Sequence, residues 1–220
     1  MGRVIMSGIV PGLIKPVFGT PLSTYTEGSI IKINENGSPV EFYVAKHNYE
    51  TELNGAGRTL VVRKDCYDTR QWSSSNENVY ATSAIDSWLN GDYKNLFGVS
   101  VSKAIGSTKF KYTPSYDSNV GILERAIFLL SVTELGRSAK YVNTEGSALS
   151  IASSLQIAYL NGSAVVQWTR SPHTRNTSSA VYLGNNGNVN YGSCTNAVGS
   201  RPAFTLPSTT KIDENGQVIE

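Results

Sequence analysis

The sequence is short of charge, and the charge it has is nearly balanced. Lys and Arg together number 19 and Asp and Glu 17, which gives a formal net charge of +2 and a charged fraction of 16%. The basic residues are scattered, as on a solvated surface, and form no run like those of nucleic-acid-binding proteins. We therefore expect no nucleic-acid partner.

Cysteine and histidine are also scarce. Cys66 and Cys194 lie far apart, as do His47 and His173, and no CxxC motif or Cys/His cluster is present. A zinc site would need more ligands of these types. The sequence predicts no metal and no cofactor. The two cysteines are compatible either with one disulfide or with two buried thiols.

Long apolar runs are missing. None approaches the ~20 residues of a transmembrane helix, so we expect no membrane insertion. The apolar start of the chain is broken by Pro11 and Pro16 and lacks both the apolar core and the cleavage site of a signal peptide. We recognise no signal peptide here.

Motifs for catalysis are missing as well. Ser171 lies two residues before His173, but no Gly-x-Ser-x-Gly elbow surrounds this serine. The glycine-rich residues 54–57 are not followed by the Lys-Ser/Thr pair of a phosphate-binding loop. The sequence therefore predicts no enzymatic activity.

The sequence does contain several short strand patterns. Residues 30–33 and 40–45 flank an Asn-Gly turn, and residues 59–63 form a third apolar run, which together predict a small β-meander. The turn sequence of residues 32–37 recurs in similar form at residues 211–216. This repeated sequence predicts two similar turns and termini that lie side by side, although Asn-Gly turns also recur by chance.

The helical signals are fewer. Residues 78–97 carry the clearest pattern, with Ser83 as the expected N-cap and Asp86 as its capping-box-like partner. A weaker pattern predicts a second helix over residues 148–160. Residues 125–131 fit a buried strand or a helix, and we favour a strand. Residues 164–168 and 203–206 also have the pattern of strands.

The length of 220 residues fits one domain with a short appendage. Residues 1–27 contain Gly, Pro and short apolar pieces without periodicity. We expect them to form an N-terminal arm that contacts a neighbouring subunit or an attachment protein, with a frayed tail as the alternative. The main domain would then span residues 28–220.

Residues 173–198 are rich in Asn, Ser, Thr, Gly and Tyr, and Val181, Leu183 and Val189 are spaced apolar residues among them. Tyr and Arg are typical anchors of binding surfaces, and Asn and Ser supply adaptable hydrogen bonds. A long disordered loop is the alternative interpretation. We predict a displayed recognition surface whose contact residues are His173, Thr174, Arg175, Asn176, Tyr182, Asn185, Asn186, Asn188, Asn190, Tyr191, Ser193, Cys194, Thr195 and Asn196.

Two motifs bracket this surface, residues 168–172 (WTRSP) and 199–202 (GSRP). We expect their arginines to bond loop carbonyls rather than to meet a ligand. The predicted framework residues are Trp168, Arg170, Pro172, Arg201 and Pro202.

These motifs, together with Trp88-Leu89-Asn90 and Phe128-Leu129-Leu130-Ser131, form an ordered pattern. It resembles a family of phage and prophage proteins related to the C-type-lectin-like, formylglycine-generating-enzyme-like fold. Many such proteins look like targets of diversity-generating retroelements. The resemblance implies an α+β C-type-lectin-like domain over residues 28–220, with a mixed or antiparallel sheet, one or two helices and long loops.

In the proteins it resembles, adenine-directed changes turn AAC codons into codons for other residues. Residues 173–198 consist almost only of amino acids that such changes give, so the resemblance implies a variable region there. It also implies a virion (phage tail) or prophage-encoded particle, a homo-oligomer such as a trimer, and a host-cell surface protein or glycan as partner.

Two other functions remain open from the sequence. A formylglycine-generating-type oxidase would use Cys66 and Cys194 to bind copper, but Cys194 lies within the variable region. A structural virion protein would have no ligand of its own.

Overall fold

The structure, a computed structural model, describes residues 19–219, and these form an α+β fold of mostly antiparallel sheets with few helices. The strands are β1 (Thr20–Pro21), β2 (Ile30–Glu35), β3 (Ser38–His47), β4 (Arg58–Arg63), β5 (Asp68–Gln71), β6 (Thr108–Tyr112), β7 (Gly121–Arg125), β8 (Ile127–Phe128), β9 (Ala158–Leu160), β10 (Ser163–Val165), β11 (Gln167–Pro172), β12 (Ser179–Leu183), β13 (Val189–Ser193), β14 (Ala197–Ser200), β15 (Ala203–Pro207) and β16 (Lys211–Ile212). The α-helices are α1 (Thr51–Asn54), α2 (Ala84–Trp88), α3 (Val99–Ala104) and α4 (Ala152–Leu155).

The first five-stranded sheet has the order β2-β3-β4-β15-β8, and it contains the predicted meander. Asn36 and Gly37 link β2 to β3 with positive φ angles of 52° and 77°. A two-residue turn of this kind matches the twist of an antiparallel hairpin, and Asn-Gly is the pair that best tolerates it. Ile31 and Ile33 are both fully buried, as the period of two requires of residues on the core-facing side of a strand.

The second five-stranded sheet has the order β13-β12-β11-β14-β5. Its pairs are antiparallel except β11 with β14, which run parallel. β13 and β5 therefore lie at opposite edges of this sheet. β14 continues through Arg201 and Pro202 into β15, which connects the second sheet to the first.

The predicted helix over residues 78–97 is present but segmented. Ser83 Oγ accepts the N–H of Asp86 at 3.1 Å, which confirms Ser83 as the N-cap. The Asp86 carboxylate instead accepts from Arg125 Nε at 2.8 Å, so the reciprocal half of the capping box is absent. α2 passes into a π-turn over Leu89–Tyr93 that contains Gly91, and then into a 3-10 turn over Lys94–Leu96.

The second predicted helix, over residues 148–160, is wrong in extent. Only Ala152–Leu155 is helical, and Ala158–Leu160 forms β9, which pairs with β10. The run over 125–131 contains the strand Ile127–Phe128, as we favoured, and then leaves the sheet. Its polar backbone is satisfied elsewhere, for example where the Leu129 N–H donates to Tyr80 Oη at 3.0 Å.

The C-terminal turn lies beside β2, as the repeated sequence predicted. The Lys32 N–H donates to Gly216 O at 2.7 Å, and the Val218 N–H donates to Lys32 O at 2.8 Å. β1, from the predicted arm, pairs with β16. Residues 1–18 of that arm lie outside the described residues. No helix in the described part of the chain is long and apolar enough to cross a membrane.

Candidate recognition surface

Residues 173–198 form an ordered hairpin rather than a disordered loop. β12 and β13 pair in continuous register from Ser179↔Ser193 to Leu183↔Val189. In the turn, the Gly184 N–H donates to Asn188 O at 2.8 Å. Gly187 has a φ of 77°, a conformation that a glycine adopts without strain. We call residues 173–198 the recognition hairpin.

One side of the recognition hairpin is anchored in the protein. Val181, Leu183 and Cys194 have no exposed surface, and Val198, the last residue of the hairpin, is 5% exposed. Cys194 is therefore on the buried side of the hairpin and not on its exposed surface, where we predicted it. Its burial follows from its position directly after β13, where its N–H donates to Ser178 O and its own carbonyl accepts from Ser73.

The other predicted contact residues divide by exposure. The exposed ones are Arg175, Asn176, Asn185, Asn186, Asn188, Asn190, Tyr191 and Asn196. The half-buried ones are His173, Thr174, Tyr182, Ser193 and Thr195. The hairpin thus presents a broad polar surface to solvent, with Tyr191 as its large exposed aromatic residue.

Three aromatic rings meet at the base of this surface. The His173 ring stacks on Tyr141, with centroids 4.9 Å apart and an interplanar angle of 23°. Tyr191 meets His173 edge to face at 4.6 Å. Lys140 Nζ lies 5.2 Å from the centre of the Tyr141 ring. Tyr141 is a site residue that our sequence analysis missed, because it lies far from the hairpin in sequence.

The neutral form of the His173 ring stabilises the local turn. Its Nδ1 accepts the N–H of Arg175 at 3.0 Å, which requires an unprotonated Nδ1. Partial burial lowers the pKa of His173 from its usual 6.5. The surrounding charged groups are Lys140 beside Tyr141 and the exposed Arg175–Asp117 pair, whose Nη1 and Oδ1 are 3.6 Å apart.

Asn78 clamps the start of the recognition hairpin. Its Nδ2 lies within hydrogen-bonding distance of the carbonyl oxygens of His173, Asn176 and Ser179, at 2.8–3.1 Å. Its Oδ1 accepts the N–H of Tyr116 at 3.3 Å. Asn78 is only 2% exposed, so it positions the hairpin from below. Asn78 could not be assigned to the site from the sequence either, because the carbonyls it contacts lie about a hundred positions away.

Arg170, one of the predicted framework residues, has no exposed surface. Its Nε and Nη2 donate to Lys111 O at 3.0 and 2.8 Å, and its Nη1 donates to Leu129 O at 3.0 Å. The same Nη1 lies 2.6 Å from Glu134 Oε2. The guanidinium also lies over Phe110, 4.7 Å from the ring centre. Arg170 therefore bonds main-chain carbonyls and meets no solvent, but Lys111 lies in the strand β6 and not in a loop as we predicted.

Acidic partners complete this buried network. Glu134 accepts from Arg170 and from the Tyr49 hydroxyl, and Glu145 accepts from the Ser171 hydroxyl at 2.7 Å. Burial raises the pKa of Glu145 even though Arg170 lowers it. Burial also raises the pKa of Tyr49. These buried polar groups are satisfied by one another.

Arg201 has the same role at the junction between the two sheets. Its Nε and Nη2 donate to the carbonyls of Arg63 and Lys64 at 2.8 and 2.6 Å, and its Nη1 donates to Leu155 O at 2.9 Å. The next residue, Pro202, accepts the N–H of Arg63 at 2.9 Å. Burial lowers the pKa of Arg201.

The remaining framework residues lie in β11. Trp168 is 2% exposed, and its Nε1 donates to Arg70 O at 2.9 Å. Its ring contacts Tyr182 edge to face at 5.8 Å, which explains why Tyr182 is half-buried. Pro172 ends β11 opposite Ala180. Trp168 therefore connects β5, β11 and the recognition hairpin.

Both cysteines are buried free thiols. Burial raises the pKa of Cys66 to about 11 and that of Cys194 to about 12. Copper binding requires accessible thiolates. These protonated and enclosed thiols do not fit such a site. Residues 19–219 also contain no cluster of three or more His, Cys, Asp or Glu side chains able to hold a metal ion.

A comparison with protein families matches residues 56–208 to a domain of unknown function, DUF6273. The matched range contains α2, the buried arginines and the whole recognition hairpin. Neither the curated proteins nor the solved structures give a match. Because the match covers more than half of the chain, this protein belongs to the DUF6273 family.

Proposed function

We propose that this protein is a ligand- or receptor-binding protein with a C-type-lectin-like fold that uses the recognition hairpin as its contact surface. The observation that carries this proposal is the division of the hairpin into two sides. Val181, Leu183 and Cys194 are buried, whereas eight polar or aromatic contact candidates are exposed. A surface whose exposed residues do not hold the core can change its specificity without unfolding the domain.

The chemistry of the surface suits a host-cell surface protein or glycan. Tyr191 and Tyr141 supply aromatic area with few rotatable bonds, and Arg175 supplies a charged donor. The asparagines provide both donors and acceptors, which can pair with either amide groups or sugar hydroxyls. A homo-oligomer, for example a trimer, would multiply weak contacts through avidity.

We further propose that the recognition hairpin is diversified and is carried on a phage tail or prophage-encoded particle. The exposed asparagines occupy positions where substitution removes no buried contact. Deep sequencing of the gene within one population tests this claim. Changes clustered at the exposed codons of residues 173–198 would support it, whereas uniform changes would contradict it and favour a structural virion protein.

Binding can be tested independently of diversification. Purified protein, labelled with a fluorophore, is incubated with intact cells of the bacterial host, and a Tyr191→Ala/Arg175→Ala variant is measured beside the wild type. Both side chains are exposed, so the variant keeps its fold. We expect saturable binding that falls at least tenfold in the variant. Equal binding of both proteins would contradict the proposed surface.

The oxidase is the weaker alternative, because its two cysteines are buried and protonated. Copper titration distinguishes the two functions. We expect no stoichiometric copper binding that depends on Cys66, so the wild type and a Cys66→Ser variant should give the same titration. Such binding, together with substrate oxidation lost in that variant, would replace our proposal.

A further inference from the structure

A pocket lies at the β5 edge of the second five-stranded sheet, the edge opposite to β13. It has a cavity volume of about 350 Å³, which is at the small end of the range for ligand sites. One wall comes from β5 and the other from α2, and β14 closes the end. The lining residues are Thr69, Arg70, Gln71, Ala84, Ile85, Trp88 and Ala197.

The stacking of Arg70 on Trp88 makes this pocket rigid. The Arg70 guanidinium carbon lies 3.7 Å from the centre of the Trp88 ring. Tyr67 and Tyr93 also pack against Trp88, with ring centroids 5.4 and 5.1 Å away. Because Arg70 covers one face of the indole, a flat aromatic ligand cannot stack there. The pocket offers an indole edge and polar groups instead.

The charge of the pocket is neutralised internally. Asp68 Oδ2 lies 2.7 Å from Arg70 Nη2, and its Oδ1 accepts from the Ser200 hydroxyl at 2.8 Å. Arg70 is therefore fixed in place and already has a counter-ion, which weakens any attraction for an anionic ligand. Its Nε has no hydrogen-bond partner among the described residues.

We propose that the Arg70–Trp88 pocket binds one unit of a neutral saccharide. Thr69 and Gln71 lie two residues apart on β5, so their polar side chains project to the same side of the strand and can pair with neighbouring sugar hydroxyls, while Arg70 projects to the other side against Trp88. Ala84 and Ala197 provide an apolar wall for the C–H face of the ring, together with the edge of Trp88. A single small ring of this kind fits the volume of the pocket.

This site is separate from the paired strands β12 and β13 of the recognition hairpin, and only Ala197, near the end of the hairpin, also lines the pocket. β5 and β13 are the two edges of the five-stranded sheet, so four strand spacings of about 4.8 Å separate them by roughly 19 Å. One ligand ring cannot touch both. The saccharide proposal can therefore fail while the proposed function stands, and the reverse is also true.

Tryptophan fluorescence provides a specific measurement. The chain has three tryptophans, and Trp72 and Trp168 are 0% and 2% exposed. A change on adding a ligand therefore reports mainly on Trp88. The protein is titrated with the methyl glycosides of glucose, galactose, mannose and N-acetylglucosamine, each up to roughly 100 mM, a range that covers millimolar affinity. Sodium sulfate and sodium acetate are titrated in parallel.

We expect a saturable change with at least one glycoside and none with sulfate or acetate. Gln71→Ala should weaken that binding roughly fivefold by removing hydrogen bonds. Ala84→Phe should abolish it by filling the pocket, while Asn190→Ala on the far edge should leave it unchanged. All three replaced side chains are exposed, so folding is preserved. The proposal is overturned by no saturable change with any glycoside, by an equal response to the anions, or by wild-type affinity in both pocket variants.

Discussion

Arg170 is a fully buried cation held between Glu134 and the main-chain carbonyls of Lys111 and Leu129. Removing one partner of a buried ion pair leaves the other charge uncompensated, which costs about 3–5 kcal/mol. We therefore expect Arg170→Ala to lower the free energy of unfolding by about that amount, as measured by urea denaturation.

Arg175 provides the matched control, because its ion pair with Asp117 is exposed on both sides. Arg175→Ala should change the free energy of unfolding by less than about 0.5 kcal/mol. If the Arg170 and Arg175 variants were equally stable, Arg170 could not be the structural centre of the frame.

His173 gives the recognition hairpin a predicted pH dependence. Its folded-state pKa is lowered by burial, so the folded protein prefers the neutral ring. The contribution of this preference to stability is complete above the unfolded pKa of 6.5 and is lost as the pH falls through the folded pKa. NMR titration of the His173 ring should give a midpoint below 6.5, and the Arg175 amide should shift with it.

His173→Phe keeps an aromatic ring between Tyr141 and Tyr191 but cannot titrate. In this variant the Arg175 amide should lose its dependence on pH across the same range. A His173 midpoint above 6.5, or an unchanged titration of the amide in the variant, would show that this hydrogen bond is not responsible.

The sequence predicts the structural roles of some residues but not those of others. The motifs at residues 168–172 and 199–202 are short and contain the arginines that donate to main-chain carbonyls. Asn78 and Tyr141 could not be assigned to the site, because their roles depend on contacts with residues distant in sequence. Cys194 was assigned to the surface by composition, which does not tell which side of a hairpin faces the core.

The recognition hairpin as an element depends on Asn78. Loss of this side chain removes its hydrogen bonds to the main chain at the start of the hairpin and leaves the Tyr116 N–H without this acceptor. A net hydrogen bond contributes about 0.5–1.5 kcal/mol, and an unsatisfied buried group costs about 1–3 kcal/mol. We expect Asn78→Ala to lower the free energy of unfolding by about 2–3 kcal/mol and to speed amide hydrogen exchange over residues 173–179.

Asn196, an exposed asparagine of the same hairpin, tests whether the stabilisation is specific to Asn78. Asn196→Ala should change stability by less than about 0.5 kcal/mol and leave hydrogen exchange as in the wild type. Matching exchange rates in the Asn78 and Asn196 variants would mean that the hairpin is held by its strands alone.

At the scale of elements, local signals were reliable where they matched the tertiary context. The Asn-Gly turn and the Ser83 cap depend on a few neighbouring residues, and both are present as predicted. The pattern over residues 148–160 failed because its apolar residues pack in two separate pieces, α4 and β9. Periodicity cannot distinguish one helix from a helical turn followed by a strand.

The whole molecule combines two sheets with different tasks. The first contains the buried meander and is completed by the C-terminal turn on β2. The second carries the recognition hairpin at one edge and the Arg70–Trp88 pocket at the other. The link between them passes through Arg201, which donates to three carbonyls. We expect substitutions at either edge to leave the rest of the fold intact.

The most direct test of the account is a saturation library over residues 173–198, displayed and sorted in parallel for protease resistance and for binding to host cells. The account predicts that Val181, Leu183 and Cys194 lose protease resistance when replaced by polar residues. It also predicts that Arg175, Asn190 and Tyr191 keep resistance with most replacements while binding changes. Loss of resistance across the exposed positions, or binding that no exposed replacement alters, would contradict the claim that this hairpin separates recognition from folding.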